Sequence, residues 1–375
     1  MQTIYDNGDG SCTMNGKRYT VMMEPRGCRP KMWLHYEEPN GHTFFRTSHV
    51  LMKYSRNDVS CENYGEVLYY AFATSAGARC TKYELAKFHQ IVDGNVIVRE
   101  CVICPTYFHK AHECEYSGYD LQRYCYLTPN CSNLNLQPNT VESLVSCASV
   151  LMDHPNAEML RQSKRDLVKM AFLDYVTGQT DRHWLNTTFI YRAEEYGLKT
   201  SEALRVASSY DNGCCFLFKR KEQALKTIAN QLRVAKKTGD REKYNEILEN
   251  IAQKTAPCLG IITSFYDFPD TFDRERPEKL TINRPDNWEE IFINEICAVI
   301  KEDSELRKFF KDKRKFNLNG AKEVLKAQGD NIPEDLMFLA GEIVDFKVAR
   351  VYEKLGSVLG EEVDNGAGYE EVSNG

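Results

Sequence analysis

No stretch of this 375-residue chain is both long and free of charge. With a mean hydropathy of −0.51, nothing in it reads as a membrane-spanning helix. The opening residues, MQTIYDNGDGSC, have neither a basic n-region nor an apolar h-region, so no secretion signal is expected and a cytoplasmic location is. No internal repeat is present. An excess of one charge is almost missing too: 48 Lys and Arg stand against 54 Asp and Glu, a formal −6. Residues 361–375 carry five acidic and no basic side chains, so this tail accounts for −5 and the remaining body is near −1. Binding to a polyanion draws on clustered cations, so direct nucleic-acid binding is not expected. What the chain does have is an apolar fraction of 42%, too high for wholesale disorder, and fourteen cysteines. Scattered through a chain this large, the cysteines read as reduced thiols, because a core of this size needs no covalent staples.

The first hundred residues are strand-rich. Runs at 19–23, 32–36 and 50–54 are β-prone, and Pro39-Asn40-Gly41 is a strong turn signal, which together predict a meander of about three antiparallel strands. The period then changes. Val67, Leu68, Ala71 and Phe72 have helical spacing over 62–74, with Gly77 as the stop. Residues 83–88 and 96–103 predict two more strands around Asp93-Gly94. Residues 104–138 are aromatic, cysteine-containing and turn-rich, with no clear period. Beyond Asn139 the pattern is helical, over 141–152, 158–176, 219–255 with an interruption at Gly239, 287–310, 319–328 and 333–356. The expected division is a sheet-and-helix unit at 1–103, a helical unit at 104–360 and a frayed acidic tail at 361–375.

The sharpest local pattern is GQTDRHWLN at 178–186, directly after an amphipathic helix. Asp181, His183 and Asn186 give an acid, a base and an amide, more than a plain loop needs. An Asp separated from an Asn by four residues suits phosphoryl transfer: the carboxylate accepts a hydroxyl proton while the amide oxygen binds a divalent cation. Downstream, SSYDNG at 208–213 offers Asp211 beside a tight turn, a carboxylate suited to Mg²⁺, which favours hard oxygen ligands. Taken singly, Asp181 and His183 would read as a capped turn; in order, and after a strand-rich unit, they read as a site.

These two motifs resemble those of HipA-like serine/threonine kinases, which typically read TDRHxxN and YD. Phosphatidylinositol kinases share a DRHxxN loop but follow it with a DFG-like motif, so the Tyr210-Asp211 form is nearer to HipA. The resemblance implies an α+β, bilobal, protein-kinase-like fold: a small antiparallel-sheet N-lobe with one helix, then a larger helical C-lobe, with ATP and Mg²⁺ in the cleft between them. It also implies roles. Asp181 corresponds to the catalytic base, and Asn186 and Asp211 to the Mg²⁺ ligands. Lys53, at a strand end, falls where the family places its phosphate-contacting lysine, though alone it would read as a lysine snorkelling to solvent. Glu66, thirteen residues on, is the implied ion-pair partner, with Glu62 one helical turn earlier as its competitor. Glu100 and Val102 match the spacing of the adenine-facing segment. The expected reaction is transfer of the γ-phosphate of ATP to a serine or threonine of a protein substrate, and the family also brings an antitoxin-like partner into view. A lipid or small-molecule kinase, or a nucleotide-binding regulatory module without catalysis, are the alternatives.

One segment departs from the family. Its phosphate-covering loop is Gly- or Ser-rich, but the corresponding residues 24–31, EPRGCRPK, have one glycine, two prolines and no Ser or Thr. Proline has no N–H to offer a phosphate. Either the arginines and Lys31 replace backbone donors by side-chain charge, or the loop does not cradle ATP, and there is no serine for the family's regulatory autophosphorylation. Two other features have plainer readings. Cys101, Cys104, His109, His112 and Cys114 have a metal-like look, yet residues three apart on a strand face opposite sides, so buried thiols are expected rather than zinc. Residues 219–254 carry ten basic and five acidic side chains, which reads as a solvated helical face.

Overall fold

The computed structural model describes residues 1–23, 29–36, 49–55, 60–105, 113–128, 134, 136–151, 156–192, 204–267 and 283–360. Its first part is built from seven strands: β1 (Gln2–Asp6), β2 (Ser11–Met14), β3 (Lys17–Met23), β4 (Lys31–Tyr36), β5 (His49–Tyr54), β6 (Glu84–Val92) and β7 (Asn95–Pro105). Alternation sets their two faces. On β5, Met52 and Tyr54 point into the barrel with Ile4, Leu34, Phe88, Cys101 and Ile103. Leu51 and Lys53 lie on the other face, as the period of two requires. The helix α1 (Glu62–Ser75) packs over that outer face, burying Val67, Leu68, Ala71 and Phe72.

The expected open meander of the N-terminal part is corrected by the structure. The strands close into a barrel of order β1-β2-β3-β4-β5-β7-β6. Closure comes from β1, which pairs antiparallel with β2 and parallel with β6, Ile4 lying opposite Phe88. Closing the sheet removes its exposed edges, which short strands could not otherwise protect. β1 and β2 are too short and too broken by Asn7, Gly8, Asp9 and Gly10 to stand out in the sequence.

The remainder is mostly helical: α2 (Gly118–Leu127), α3 (Val141–Leu151), α4 (Ala157–Thr177), α5 (Glu222–Thr238), α6 (Arg241–Lys254), α7 (Trp288–Glu302), α8 (Ser304–Phe310), α9 (Leu318–Gln328) and α10 (Glu334–Leu359). It also holds three strands unforeseen in the sequence, β8 (Glu113–Ser117), β9 (Thr188–Arg192) and β10 (Leu204–Val206), in a small sheet of order β10-β9-β8. One apolar core runs from Leu85, Val102 and Cys104 on the barrel's outer face through α1 to α4, α7 and α10. The expected turn at Pro39-Asn40-Gly41 and the acidic tail lie outside the described residues.

α4 aims the chain at the DRHWLN loop. Asn156 caps its start by accepting from Glu158 N at 2.8 Å. Its end is Gly178, left-handed at φ 66°, where a Cβ would sit 2.8 Å from that of Thr255. Only glycine meets both conditions.

A buried carboxylate ties the barrel to α9. Asp330 Oδ1 accepts from Leu85 N at 3.3 Å, while Oδ2 is buried with no hydrogen-bond partner. Burial pushes this carboxyl up to about 6. A raised carboxyl binds its proton more tightly in the native state, so its stabilising contribution is present at low pH and is lost as pH rises through about 6. Asp330→Asn should therefore gain about 1–3 kcal/mol in denaturant unfolding above pH 7 and almost nothing near pH 4. An equal gain at both pH values would contradict this account.

Candidate functional site

Lys53 is buried near the C-terminal end of β5 and cannot stay charged there without partners. It has three: Nζ donates to Glu66 Oε1 at 3.2 Å, to Tyr83 Oη at 3.1 Å and to Asp211 Oδ1 at 3.2 Å. Burial alone would lower its pKa, but Asp211 and Glu66 outweigh that and raise it. Glu66, on the α1 face turned to the barrel, is fully buried and shared. Oε1 also accepts from Arg29 Nη1 at 2.6 Å, and Oε2 accepts from Asn212 N at 2.6 Å. Arg29 itself is buried, its Nη2 donating to Asn63 Oδ1 at 2.9 Å and its Nε to Tyr54 O at 3.0 Å. Glu62 lies beside Arg29, its Oε2 4.0 Å from Nε, and is not a partner of Lys53.

The two polar loops are knotted together by Arg182. Its guanidinium is wholly buried and donates to Asp174 Oδ2 at 3.0 Å, Ser209 Oγ at 2.7 Å and Asn186 O at 3.1 Å, and also to Tyr210 O and Asn212 Oδ1. One planar cation thus fixes both the DRHWLN loop and the YDNG loop, a use of several fixed donors that lysine could not match. Asp174 is held in turn by Tyr69 Oη of α1 at 2.8 Å. Burial raises the Asp174 carboxyl, with Arg182 and Tyr69 acting against it. Gln179 bridges the two acids from above: its Oε1 accepts from Asp181 N at 3.1 Å, and its Nε2 donates to Asp211 O at 3.0 Å.

Within the first loop, Asn186 Nδ2 donates to Asp181 O at 2.7 Å, which leaves Oδ1 as the atom suited to a hard cation. His183 Nδ1 accepts from Leu185 N at 3.3 Å, and its Nε2 lies 3.4 Å from Asn186 Nδ2 and 3.9 Å from Asp181 Oδ1. Asp181 is a third exposed, and its Oδ2 accepts from the Cys214 thiol at 3.7 Å. Asp211 has φ 55°, a left-handed conformation that aspartate tolerates better than most residues. Burial would raise its carboxyl, but Lys53, Arg29 and Lys31 prevail and hold it well below the usual carboxylate range. Its side chain still keeps 29% of its surface open, enough to accept a cation. Two glycines allow this approach: a Cβ on Gly65 would sit 2.9 Å from Gly213 O, and one on Gly213 would sit 2.7 Å from Arg29 Nη1.

The structure therefore gathers Lys53, Glu66 and Asp211 by direct contact, and Asp181 and Asn186 through Gln179 and Arg182. Glu100 is linked to this cluster through its backbone, its O accepting from Asn63 Nδ2 at 3.2 Å, and Val102 flanks it on β7. Glu100 is exposed on β7 and accepts from Tyr64 Oη at 3.3 Å. Val102 is opposite Lys53 in the β5–β7 register but fully buried in the core, and β7 continues three residues past it. Cys101 points into the barrel and Cys104 lies in the core outside it; His109 and His112 lie outside the described residues. Among the described residues, no group of three metal-ligand side chains was found. Sequence reasoning gave no role to Tyr83, Asp174, Gln179 and Arg182, and offered Arg29 only as a charge for phosphate, whereas it is bonded to Glu66, Asn63 and Tyr54 O. Arg182 stood inside GQTDRHWLN, but nothing along the chain marked it as buried.

Breaking this knot should be costly. Arg182→Met leaves Asp174 buried and unpaired and should lose about 3–5 kcal/mol, whereas adding Asp174→Leu should recover part of it. Urea unfolding of the single and double variants reads this out. A loss under about 1 kcal/mol for Arg182→Met would mean that the guanidinium does not hold the loops.

The fold has solved counterparts. It matches the Helicobacter pylori proinflammatory kinase CtkA with a TM-score of 0.51 at 11% identity, over 91% of this chain and 97% of that one. A Shewanella oneidensis HipA, solved with HipB and operator DNA as a toxin–antitoxin system, matches with a TM-score of 0.42 at 12% identity, over 91% of this chain and 67% of that one. At 11% identity the likeness to CtkA is one of fold. No curated protein matches the chain by sequence. The HipA-like C-terminal domain matches residues 23–259, a span that contains Arg29, Lys53, Glu66, Asp181, Asn186 and Asp211, and the chain belongs to that family.

Proposed function

We propose that this protein is a kinase that uses ATP and Mg²⁺ to phosphorylate a serine or threonine of a protein, with ATP between the barrel of residues 1–103 and the helical part of residues 104–360. The observation that carries the reading is Lys53, whose ammonium is bonded at once to Glu66 on α1 and Asp211 on the YDNG loop. A lysine so placed has a fixed position and an assured charge, which is what neutralising a transferred phosphoryl group demands.

Asp211 and Asn186 would hold Mg²⁺, which supplies charge neutralisation on the phosphate oxygens. Asp211 fits that duty because neighbouring cations keep it ionised, and Asn186 because its Nδ2 is already engaged. Asp181 would orient the acceptor hydroxyl and take its proton as the new P–O bond forms and the bond to the leaving ADP breaks. His183 and Gln179 steady Asp181, one beside its carboxylate and one at its backbone N–H. Most of the rate gain would come from this fixed geometry and charge.

The test is incubation with labelled ATP, Mg²⁺ and a cell lysate. Wild type should transfer label to protein serine or threonine. Asp181→Asn and Asp211→Asn should lose transfer by about 100-fold or more while melting close to the wild type. Unaltered ATP consumption in either variant would sink the assignment. Label in lipid or a small metabolite would move the acceptor, and ATP stabilisation without any turnover would point to a regulatory module.

A further inference from the structure

Barrel closure leaves one stretch of strand edge open. β7 runs over Asn95–Pro105, but β5 pairs only with its residues 101–105, Tyr54 lying opposite Cys101. The other side of β7 is taken by β6, from Val92 opposite Asn95 to Glu84 opposite Ile103. The β6–β7 hairpin therefore outruns the barrel, and among the described residues no strand lies beside residues 95–100 on the β5 side. Which backbone groups point there follows from alternation, since one strand residue turns its N–H and C=O to one neighbour and the next residue to the other. Glu100 O accepts from Asn63 Nδ2 of α1 at 3.2 Å, so Glu100 points away from β6, and Val98 and Val96 do the same. Asp93 and Gly94, at φ 50° and 76°, form the two-residue turn at the hairpin's end.

Such an edge is a template for another strand, and proteins normally blunt it with proline, lysine or a bulge. This one reads Asn95-Val96-Ile97-Val98-Arg99, and Val96, Val98 and Ile97 are 64%, 52% and 40% exposed, which leaves the edge open to solvent. Val96 lies opposite exposed Ile91, and Val98 lies opposite His89, whose ring is 5.0 Å from that of Tyr5. One face of the hairpin end is thus an apolar strip that stops at the open edge.

The strand is complementary to itself. Turned about a two-fold axis through Ile97 and laid antiparallel, it sets Val96 opposite Val98 of a second copy, and Asn95 opposite Arg99. The outward groups of Val96 and Val98 then exchange hydrogen bonds. No like charges meet, because Arg99 faces an amide rather than its own copy. The second copy turns away at Gly94, opposite Glu100, where Asn63 already holds the carbonyl; glycine brings no side chain to that point.

We propose that this edge joins a second copy of the chain, two β6–β7 hairpins forming one continuous antiparallel sheet about a two-fold axis at Ile97. The inference is independent of the kinase reading. Because the axis is perpendicular to the sheet, the two apolar strips share a face, and Ile91, Val96 and Val98 of both copies become one patch. A contact this short is at the small end of specific interfaces, so the dissociation constant should be on the order of 10 μM.

Sedimentation velocity of the full chain, from well below to well above that concentration, tests it. Wild type should pass from monomer to dimer. Val96→Lys with Val98→Lys sets ammonium groups opposite each other and should weaken association at least 10-fold. Val96→Lys with Val98→Glu sets opposite charges there and should restore most of it, now in a salt-sensitive form. Ile97→Cys should cross-link two copies under mild oxidation, since residues on the axis face each other, and Val96→Cys should not. Circular dichroism melts of the variants should coincide with wild type, because the substituted side chains are exposed. A wild type that stays monomeric would overturn the proposal. So would a dimer that the paired lysines leave intact, because it would use another surface, and so would equal loss in both double variants, because the strand would then not meet its own copy in this register. If a double variant melts early, the cross-link decides, and its absence in Ile97→Cys overturns the proposal.

Discussion

A carboxylate with no access to water is costly to bury unless donors meet it on every side, and Glu66 is such a group. Its two oxygens collect Lys53 from β5, Arg29 from the segment before β4 and the backbone N–H of Asn212 from the YDNG loop. Three separate stretches of chain are therefore bound to one turn of α1. The charges have to be arranged together, since removing one donor leaves the others facing an under-compensated carboxylate. That is why the region carries no side chain where α1 and the loop touch, at Gly65 and Gly213. A stable fold and an assembled site are the same requirement here.

Much of the helical architecture was open to a reading of periodicity. Gly239 divides α5 from α6 by taking a left-handed conformation, and α4, α9 and α10 lie within a few residues of their expected limits. Asp181, Asn186 and Asp211 could be picked out from their motifs, whereas Lys53 and Glu66 came from the resemblance to the family, since alone they are an ordinary strand-end lysine and a helix glutamate. What escaped was whatever depends on contacts between distant segments. Barrel closure is one case, because nothing in QTIYD announces a partner at residues 84–92. Arg182 and Asp174 are another: an arginine in a polar loop and an aspartate in a helix are ordinary until the fold buries both. Glu100 and Val102 rested on a spacing that any half-buried strand satisfies, and only the register shows that Val102 lies opposite Lys53 while the Glu100 side chain is exposed.

The basic stretch at 219–254 also becomes clearer in three dimensions. α5 buries Leu225, Ala229, Leu232 and Ala235, and its charged face is largely answered by acids. Lys226 pairs with Glu222, Arg233 with Asp335 and Lys236 with Glu342, the last two acids coming from α10. A local excess counted along the chain is thus partly cancelled by a helix more than eighty residues later. Individually such exposed pairs are worth little, but together they set the sign of the surface.

The way β1 closes the barrel bears on how the chain reaches this state. β1 precedes the other barrel strands in the chain, yet its parallel partner β6 lies beyond four further strands and α1. Pairings that distant are slow to form, because a long loop must be closed before any contact rewards it. Until β6 arrives, β1 and β2 are a hairpin with one bare edge, and the sheet that carries Lys53 has no closed barrel behind it. On the ribosome, then, the Lys53 side of the site would mature late, when the β6–β7 hairpin swings in and shuts the cylinder.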